Sequence, residues 1–345
     1  MPTGDNLPSL TDARGLGLFE IPEWLVRPSV RACRLFNTML DGIFYDVPRL
    51  NAELIDKGSE STSLGERVRT RLTSFDALSD PEGSLLLIDA ATAPYVHKYR
   101  DVGAFLASPY PEAQQVEIAT ITGVGSSALG SAALAWDISV ALEKPVLAIV
   151  PGYGVADVML QSLGGWFGFG LYDWLQTKSL VQNNLANVAP NTARIGRELA
   201  ASTPDAKTLH GGPVFRHGSG SSDVLHAIMR YRDLPLKTLI GHSKGALQIG
   251  NAIQSLPRER VEGLTVVTLG CPIAENVTGV AFHQYLGLFD ALGQLNMWGN
   301  QPDEWVSSWH TTNPMLPPAM HAGPLTQAAL AKRAVSPPAG APLHS

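Results

Sequence analysis

The feature that most constrains the fold is the alternation, from residue 116 onwards, of short apolar runs with longer segments of helical spacing. Residues 116–123, "VEIATITG", have the composition of a buried strand. Residues 126–144 have that of a packed helix, and residues 146–152, "VLAIVPG", form a second apolar run. A strand, a helix and a strand in this order make a β-α-β unit with parallel strands. The pattern therefore predicts an α/β protein with a mostly parallel sheet flanked by helices.

The alternation continues towards the C-terminus. Further strands are expected at 236–240, 263–270 and 293–300, and further helices at 223–232, 244–255 and 279–292. On this interpretation, the helix at 279–292 precedes the last strand of the sheet.

Changes in composition divide the chain into four regions. Residues 1–18 and 335–345 are polar or rich in proline and glycine, which favours disorder. Residues 19–115 are expected to form a mainly helical accessory or cap region without catalytic residues, and residues 116–334 to form the α/β domain.

Composition excludes several classes of function. The net charge of −6 and the absence of a Lys/Arg-rich run argue against binding to nucleic acid. The two cysteines, Cys33 and Cys271, are far apart and lack the spacing of metal ligands. The N-terminus shows no signal peptide, and charged residues interrupt the most apolar region, 124–150. We therefore expect a cytoplasmic protein that uses no metal and no organic cofactor.

The segment "GHSKG", residues 241–245, matches the G-x-S-x-G nucleophile elbow. In such an elbow a serine occupies the apex of a strained strand-to-helix turn, and glycines two residues to either side avoid steric clashes. An apolar run precedes Ser243, and residues 246, 249, 250 and 253 have the spacing of a packed helix face. Ser243 is therefore the predicted nucleophile, although a plain strand-to-helix connection has the same outline.

Two backbone N–H groups are expected to stabilise the oxyanion. The first is that of Lys244, which follows the serine. The second is assigned to Tyr153, in the glycine-containing loop after the strand at 146–152, with residues 209–213, "LHGGP", as a competing candidate. The glycines of "GVGSSALG", 123–130, do not fit the dinucleotide-binding pattern and predict a tight strand-to-helix turn.

A base and an orienting acid must follow the serine, in the order acid and then histidine. His310 and His321 are the candidate bases, and Asp290, Asp303 and Glu304 are the candidate acids. Asp303 is preferred because it follows the strand expected at 293–300, whereas Asp290 falls in the expected helix. His321 is preferred because it has a longer approach from Asp303 and a proline pair before it, which stiffens the loop.

The order of these landmarks resembles the α/β-hydrolase superfamily, especially the class-three (fungal-type) lipases, over residues 236–325. The resemblance rests on the elbow at Ser243, the strand end "TLGCP" at 268–272, "NQPD" at 300–303, and the proline-rich "LPP" at 316–318 before His321. It implies an α/β-hydrolase fold and a Ser243–Asp303–His321 triad.

The resemblance also implies a serine hydrolase that cleaves small-molecule or lipid carboxylic esters through an acyl-enzyme, with transient contact with a lipid interface. An acyltransferase or thioesterase would use the same triad, and an inactive hydrolase fold that serves as a binding protein is a third alternative. The aromatic and glycine-rich stretch 158–175 could form a lid or acyl pocket through Trp166 and Phe169, or a buried helix pair.

Overall fold

A computed structural model describes the parts of the chain that build the sheet and most of its helices. The described residues are 28, 39–59, 83–92, 95–99, 102–123, 126–151, 220–230, 234–254, 256–297 and 299–335.

Eight strands form one sheet in the described part of the chain. They are β1 (Leu85–Ile88), β2 (Val96–Tyr99), β3 (Ile118–Ile121), β4 (Val146–Ile149), β5 (Thr238–His242), β6 (Thr265–Leu269), β7 (Ala281–Gly287) and β8 (Glu304–Val306). Their order is β2-β1-β4-β3-β5-β6-β7-β8. All neighbouring strands from β4 to β8 are parallel, and β1 is antiparallel to both β2 and β4. The prediction of a mostly parallel α/β sheet is confirmed.

Helices cover both faces of this sheet. They are α1 (Val47–Ser59), α2 (Val102–Leu106), α3 (Pro111–Gln114), α4 (Ala128–Leu142), α5 (Gly220–Arg230), α6 (Lys244–Ile253), α7 (Arg258–Val261), α8 (Ala291–Asn296) and α9 (Ala322–Val335). None of the helices within the described ranges has both the length and the apolar character needed to cross a membrane.

The core consists of two apolar clusters, one on each face of the sheet. Helices α1, α4 and α9 contribute to the first cluster, in which Trp136 of α4 is 1% exposed. Helices α5 and α6 contribute to the second. Because most central strands are buried on both faces, they read as continuous apolar runs rather than as alternating ones.

Two elements differ from the sequence-based expectation. Residues 281–287, expected to be helical, form strand β7, and the strand expected at 293–300 is replaced by helix α8. β7 pairs in parallel with β6, and its residues from Gln284 to Gly287 are all buried. Apolar and polar side chains do not alternate regularly in residues 281–287, so their periodicity does not indicate a strand.

The N-terminal region contributes strands to the sheet as well as helices. Residues 85–99 supply two strands, and β1 lies between β2 and β4. The sheet therefore extends across the expected boundary at residue 116.

Candidate active site

Ser243 lies in the turn that joins β5 to α6. Its φ of 53° and ψ of −130° are conformations that residues with a side chain rarely adopt. A Cβ added at Gly241 would lie 2.5 Å from the Ala246 backbone, and one added at Gly245 would overlap the carbonyl oxygen of Ile121. The turn thus has the strained and closely packed strand-to-helix geometry that the G-x-S-x-G pattern predicts, and such strain clusters at functional sites.

Asp290 and His310 form a hydrogen-bonded pair at the carboxyl edge of the sheet. Asp290 follows β7 and caps α8, where its Oδ1 accepts the N–H of Gly293 at 2.6 Å. His310 follows β8, and its Nδ1 lies 2.8 Å from Oδ1 and 2.7 Å from Oδ2 of Asp290. Because a carboxylate only accepts hydrogen bonds, Nδ1 carries a proton. In the neutral ring Nε2 is then free to act as a base.

Backbone contacts bring this pair beside the Ser243 turn. The N–H of Ser243 donates to the carbonyl oxygen of the last residue of β6 at 2.8 Å. The next residue, Gly270, has a φ of +72°, and a Cβ there would lie 3.0 Å from Asp290 Oδ2 and 3.1 Å from His310 Nδ1. The ring of His242 is 5.0 Å from the ring of His310. Ser243, His310 and Asp290, which follow three different strands, therefore lie near one another at one edge of the sheet.

An N-terminal segment, residues 41–46 and here called the strap, packs against the same edge. Residues 311–313 donate side-chain hydrogen bonds to its backbone: Thr311 to the Ile43 carbonyl at 2.6 Å, Thr312 to that of Phe44 at 2.8 Å, and Asn313 to that of Gly42 at 2.7 Å. The ring of Phe44 makes an edge-to-face contact with the ring of His310 at 5.9 Å. The strap belongs to the region in which no catalytic residues were expected, yet it contacts the loop that carries His310.

The tyrosine of the strap connects two further parts of the site. The hydroxyl of Tyr45 lies 2.9 Å from Nδ1 of His242 and accepts the N–H of Gly123 at 2.8 Å. Nε2 of His242 lies 3.0 Å from the carbonyl oxygen of His310. Burial is the main cause that lowers the pKa of His242 to about 3, and the nearby charge of His310 lowers it further.

The loop after β3 borders the Ser243 turn because β3 is a direct neighbour of β5. A Cβ added at Gly123 would lie 3.3 Å from the Cβ of Ser243 and 3.6 Å from its Oγ. Strand β4, which leads to the predicted oxyanion residue Tyr153, is one position farther from β5. Tyr153, Trp166 and Phe169 lie outside the described residues, so their predicted roles stay predictions. Lys244 is the first residue of α6 and is buried.

Asp303 and His321 have different surroundings from the Asp290–His310 pair. Oδ2 of Asp303 accepts the backbone N–H of Gln284 at 2.7 Å, and this hydrogen bond connects the residue before β8 to β7. His321 is exposed and directly precedes α9, where its carbonyl oxygen accepts the N–H of Leu325. Within the described residues, no hydrogen bond joins Asp303 to His321, or either side chain to Ser243.

The sequence pattern predicts a helix over residues 279–292, and Asp290 was therefore not preferred as the acid. Once residues 281–287 are a strand, Asp290 follows a parallel strand two positions from β5 in the sheet. One sequence feature could have indicated this position. Residues 287–290 are a glycine, two apolar residues and an aspartate, an order that is typical of a strand end followed by the N-cap of a helix.

No group of His, Cys, Asp and Glu side chains in the described ranges could hold a metal ion. Comparisons with protein-family models, curated proteins and solved structures found no match.

Proposed function

We propose that this protein is a serine hydrolase that cleaves carboxylic esters, with Ser243 as nucleophile, His310 as base and Asp290 as the acid that orients the base. The observation that carries the proposal is the hydrogen bond between His310 Nδ1 and Asp290, beside a serine in a strained strand-to-helix turn. The residues follow the chain order serine, acid, histidine that elbow hydrolases use. This triad replaces Asp303 and His321 of the sequence-based prediction.

The geometry supports acyl transfer in two steps. Nε2 of His310 takes the proton of Ser243 as Oγ attacks the ester carbonyl carbon, and Asp290 stabilises the resulting imidazolium through Nδ1. The protonated His310 then donates its proton to the leaving alkoxide, which yields an acyl-enzyme and an alcohol. Attack by water, again with His310 as base, releases the carboxylic acid and restores the serine.

Backbone N–H groups would stabilise the tetrahedral oxyanion. The N–H of Lys244 follows the nucleophile at the start of α6, where the helix dipole also favours negative charge. We expect the loop after β3 to supply the second donor, because it borders Ser243 at Gly123, whose own N–H donates to the Tyr45 hydroxyl. This position agrees with elbow hydrolases, in which a loop after the third strand supplies that donor.

Covalent labelling with a fluorophosphonate probe tests the nucleophile. We expect the wild-type protein to be labelled on Ser243, as identified by mass spectrometry of the modified peptide, and Ser243→Ala to lose both labelling and hydrolysis of p-nitrophenyl esters. An unlabelled but folded wild-type protein would contradict the proposal and favour a binding role for an inactive hydrolase fold. Partition of the acyl-enzyme between water and an added alcohol distinguishes a hydrolase from an acyltransferase.

A further inference from the structure

Only one assignment of donors and acceptors satisfies the hydrogen bonds of Tyr45 and His242. A carbonyl oxygen only accepts, so His242 Nε2 must carry the proton that it donates to the His310 carbonyl oxygen. A neutral ring then leaves Nδ1 as an acceptor, and the Tyr45 hydroxyl donates to it. The same hydroxyl oxygen accepts the N–H of Gly123.

This chain of hydrogen bonds joins three backbone segments at the site. It runs from the loop after β3, through the Tyr45 hydroxyl and the His242 ring, to the backbone of the proposed base. Tyr45 is 2% exposed and His242 is 1% exposed, so water cannot replace either partner without a cost. The rings also pack edge to face, with centroids 5.3 Å apart.

We propose that Tyr45 and His242 are positioning residues, which hold the backbone of His310 and the loop at Gly123 at a set distance from Ser243. The inference rests on the proposed hydrolase function and adds two residues to it. His242 occupies the variable position of the G-x-S-x-G turn, so its side chain links the elbow to the base. Neither residue exchanges a proton with the substrate. Their role is to restrict the approach of Nε2 to Oγ, where a displacement of about 1 Å costs on the order of 100-fold in rate.

The test is the rate of covalent labelling of Ser243 by a fluorophosphonate, with the maximal rate constant and the half-saturating probe concentration measured separately. Tyr45→Phe removes only the hydroxyl. We expect it to lower the maximal rate constant on the order of 10- to 100-fold, and to change the half-saturating concentration by less than about two-fold.

Tyr99→Phe is the matched control. Tyr99 is also a buried tyrosine, and its hydroxyl hydrogen-bonds the hydroxyl of Ser108 at 2.9 Å, but it lies in strand β2 at the far edge of the sheet. The two variants lose the same chemical group from a buried hydrogen bond. Loss of stability alone would therefore affect both, whereas a positioning role lowers the labelling rate only in Tyr45→Phe.

A second pair of variants keeps the proposal testable if Tyr45→Phe does not fold. His242→Gln can still donate an N–H from near the Nε2 position to the His310 carbonyl oxygen, whereas His242→Leu cannot. We expect the glutamine variant to retain a labelling rate at least about five-fold above that of the leucine variant. If the wild-type protein is labelled on Ser243, and Tyr45→Phe and both His242 variants are labelled at the same rate, the positioning role is overturned while the hydrolase proposal stands. A wild-type protein that is not labelled would overturn the hydrolase proposal as well.

Discussion

At the scale of single residues, the contact with a carboxylate distinguishes the proposed base from the other candidate histidine. His310 is largely buried, with its side chain 11% exposed, and contacts Asp290, whereas His321 is exposed at the start of a helix. The two histidines are only eleven residues apart in the chain. Their surroundings, rather than their distance from Ser243 in sequence, separate their roles.

His310→Ala is expected to lower kcat for p-nitrophenyl esters on the order of 10⁴-fold, because it removes the base and leaves only oxyanion stabilisation and binding. His321→Ala is the matched control and should keep near-wild-type kcat. Circular dichroism establishes that both variants are folded. A near-wild-type kcat in His310→Ala, together with a large loss in His321→Ala, would return the role of base to His321.

The two acids allow a parallel test. Asp290→Asn cannot stabilise the imidazolium, and we expect kcat to fall on the order of 10⁴-fold. Asp303→Asn retains an oxygen that can accept the Gln284 N–H, so it should preserve both fold and activity. The measurement is kcat for the same esters, and equal losses in the two variants would contradict the assignment of Asp290.

Asp41, in the strap, predicts a pH dependence of stability. Its carboxylate accepts the N–H of Ser127 at 2.8 Å, at the start of α4, and burial raises its pKa to about 7, although hydrogen bonds to Ser126 and Ser127 oppose the shift. Between about pH 4 and pH 7 the folded state holds a proton that the unfolded state has lost. The contribution of Asp41 to the free energy of unfolding therefore falls as pH rises through this window.

Asp41→Asn removes that titration and keeps an oxygen for the Ser127 N–H. We expect the unfolding free energy of the wild-type protein, minus that of the variant, to fall by up to about 1.4 kcal/mol per pH unit between pH 4 and 7. Urea denaturation at a series of pH values measures this difference. A difference that does not change with pH would show that Asp41 does not titrate in this range.

At the scale of elements, the strand-turn-helix unit of β5 and α6 presses against β3. This close approach brings Ser243 next to the loop that follows β3. It also explains why glycine occupies position 245, where a side chain would meet the carbonyl oxygen of Ile121. The same helix has a second glycine, Gly250, where the one close neighbour of an added Cβ is a terminal methyl group of Ile273 at 3.1 Å, which belongs to a side chain rather than to backbone.

Gly245→Ala is expected to destabilise the protein by about 3 kcal/mol, because α6 must shift away from β3 to accommodate the methyl group. In Gly250→Ala, the Ile273 side chain can rotate, and the gain in helix propensity of about 1 kcal/mol offsets the crowding. Urea denaturation of both variants measures the contrast. Equal stability of the two would mean that the elbow helix does not pack against β3 as closely as described.

At the scale of the whole molecule, the two apolar clusters support the site without contributing to its chemistry. Trp136 links α4 to α1, because its Nε1–H donates to Oε2 of Glu53 at 2.7 Å and its ring is buried. We expect its truncation to remove a large part of one cluster and to leave the residues at the Ser243 turn in place.

Trp136→Ala is expected to lower the free energy of unfolding by about 3–5 kcal/mol, through the cavity and the lost hydrogen bond. Val140→Ala, on the partly exposed side of the same helix, should change it by no more than about 0.5 kcal/mol. Under conditions where Trp136→Ala stays folded, its labelling rate at Ser243 should equal that of the wild type. A lower rate in the folded variant would show that the core controls the site geometry directly.

The sequence by itself determined the parts of this protein that depend on neighbours in the chain. The β3–α4–β4 unit and the turn at Ser243 were both predictable, because a strand, a glycine-flanked turn and a helix are encoded within a few consecutive residues.

Only the tertiary structure decided which acid and which histidine meet. Residues 281–287 become a strand because they pair with β6 and are buried there, and this pairing brings Asp290 to the carboxyl edge of the sheet. The contact between Tyr45 and His242 joins positions 197 residues apart. No local pattern encodes such a contact, since it forms only when the strand order has brought the ends of β3, β5 and β8 together under the strap.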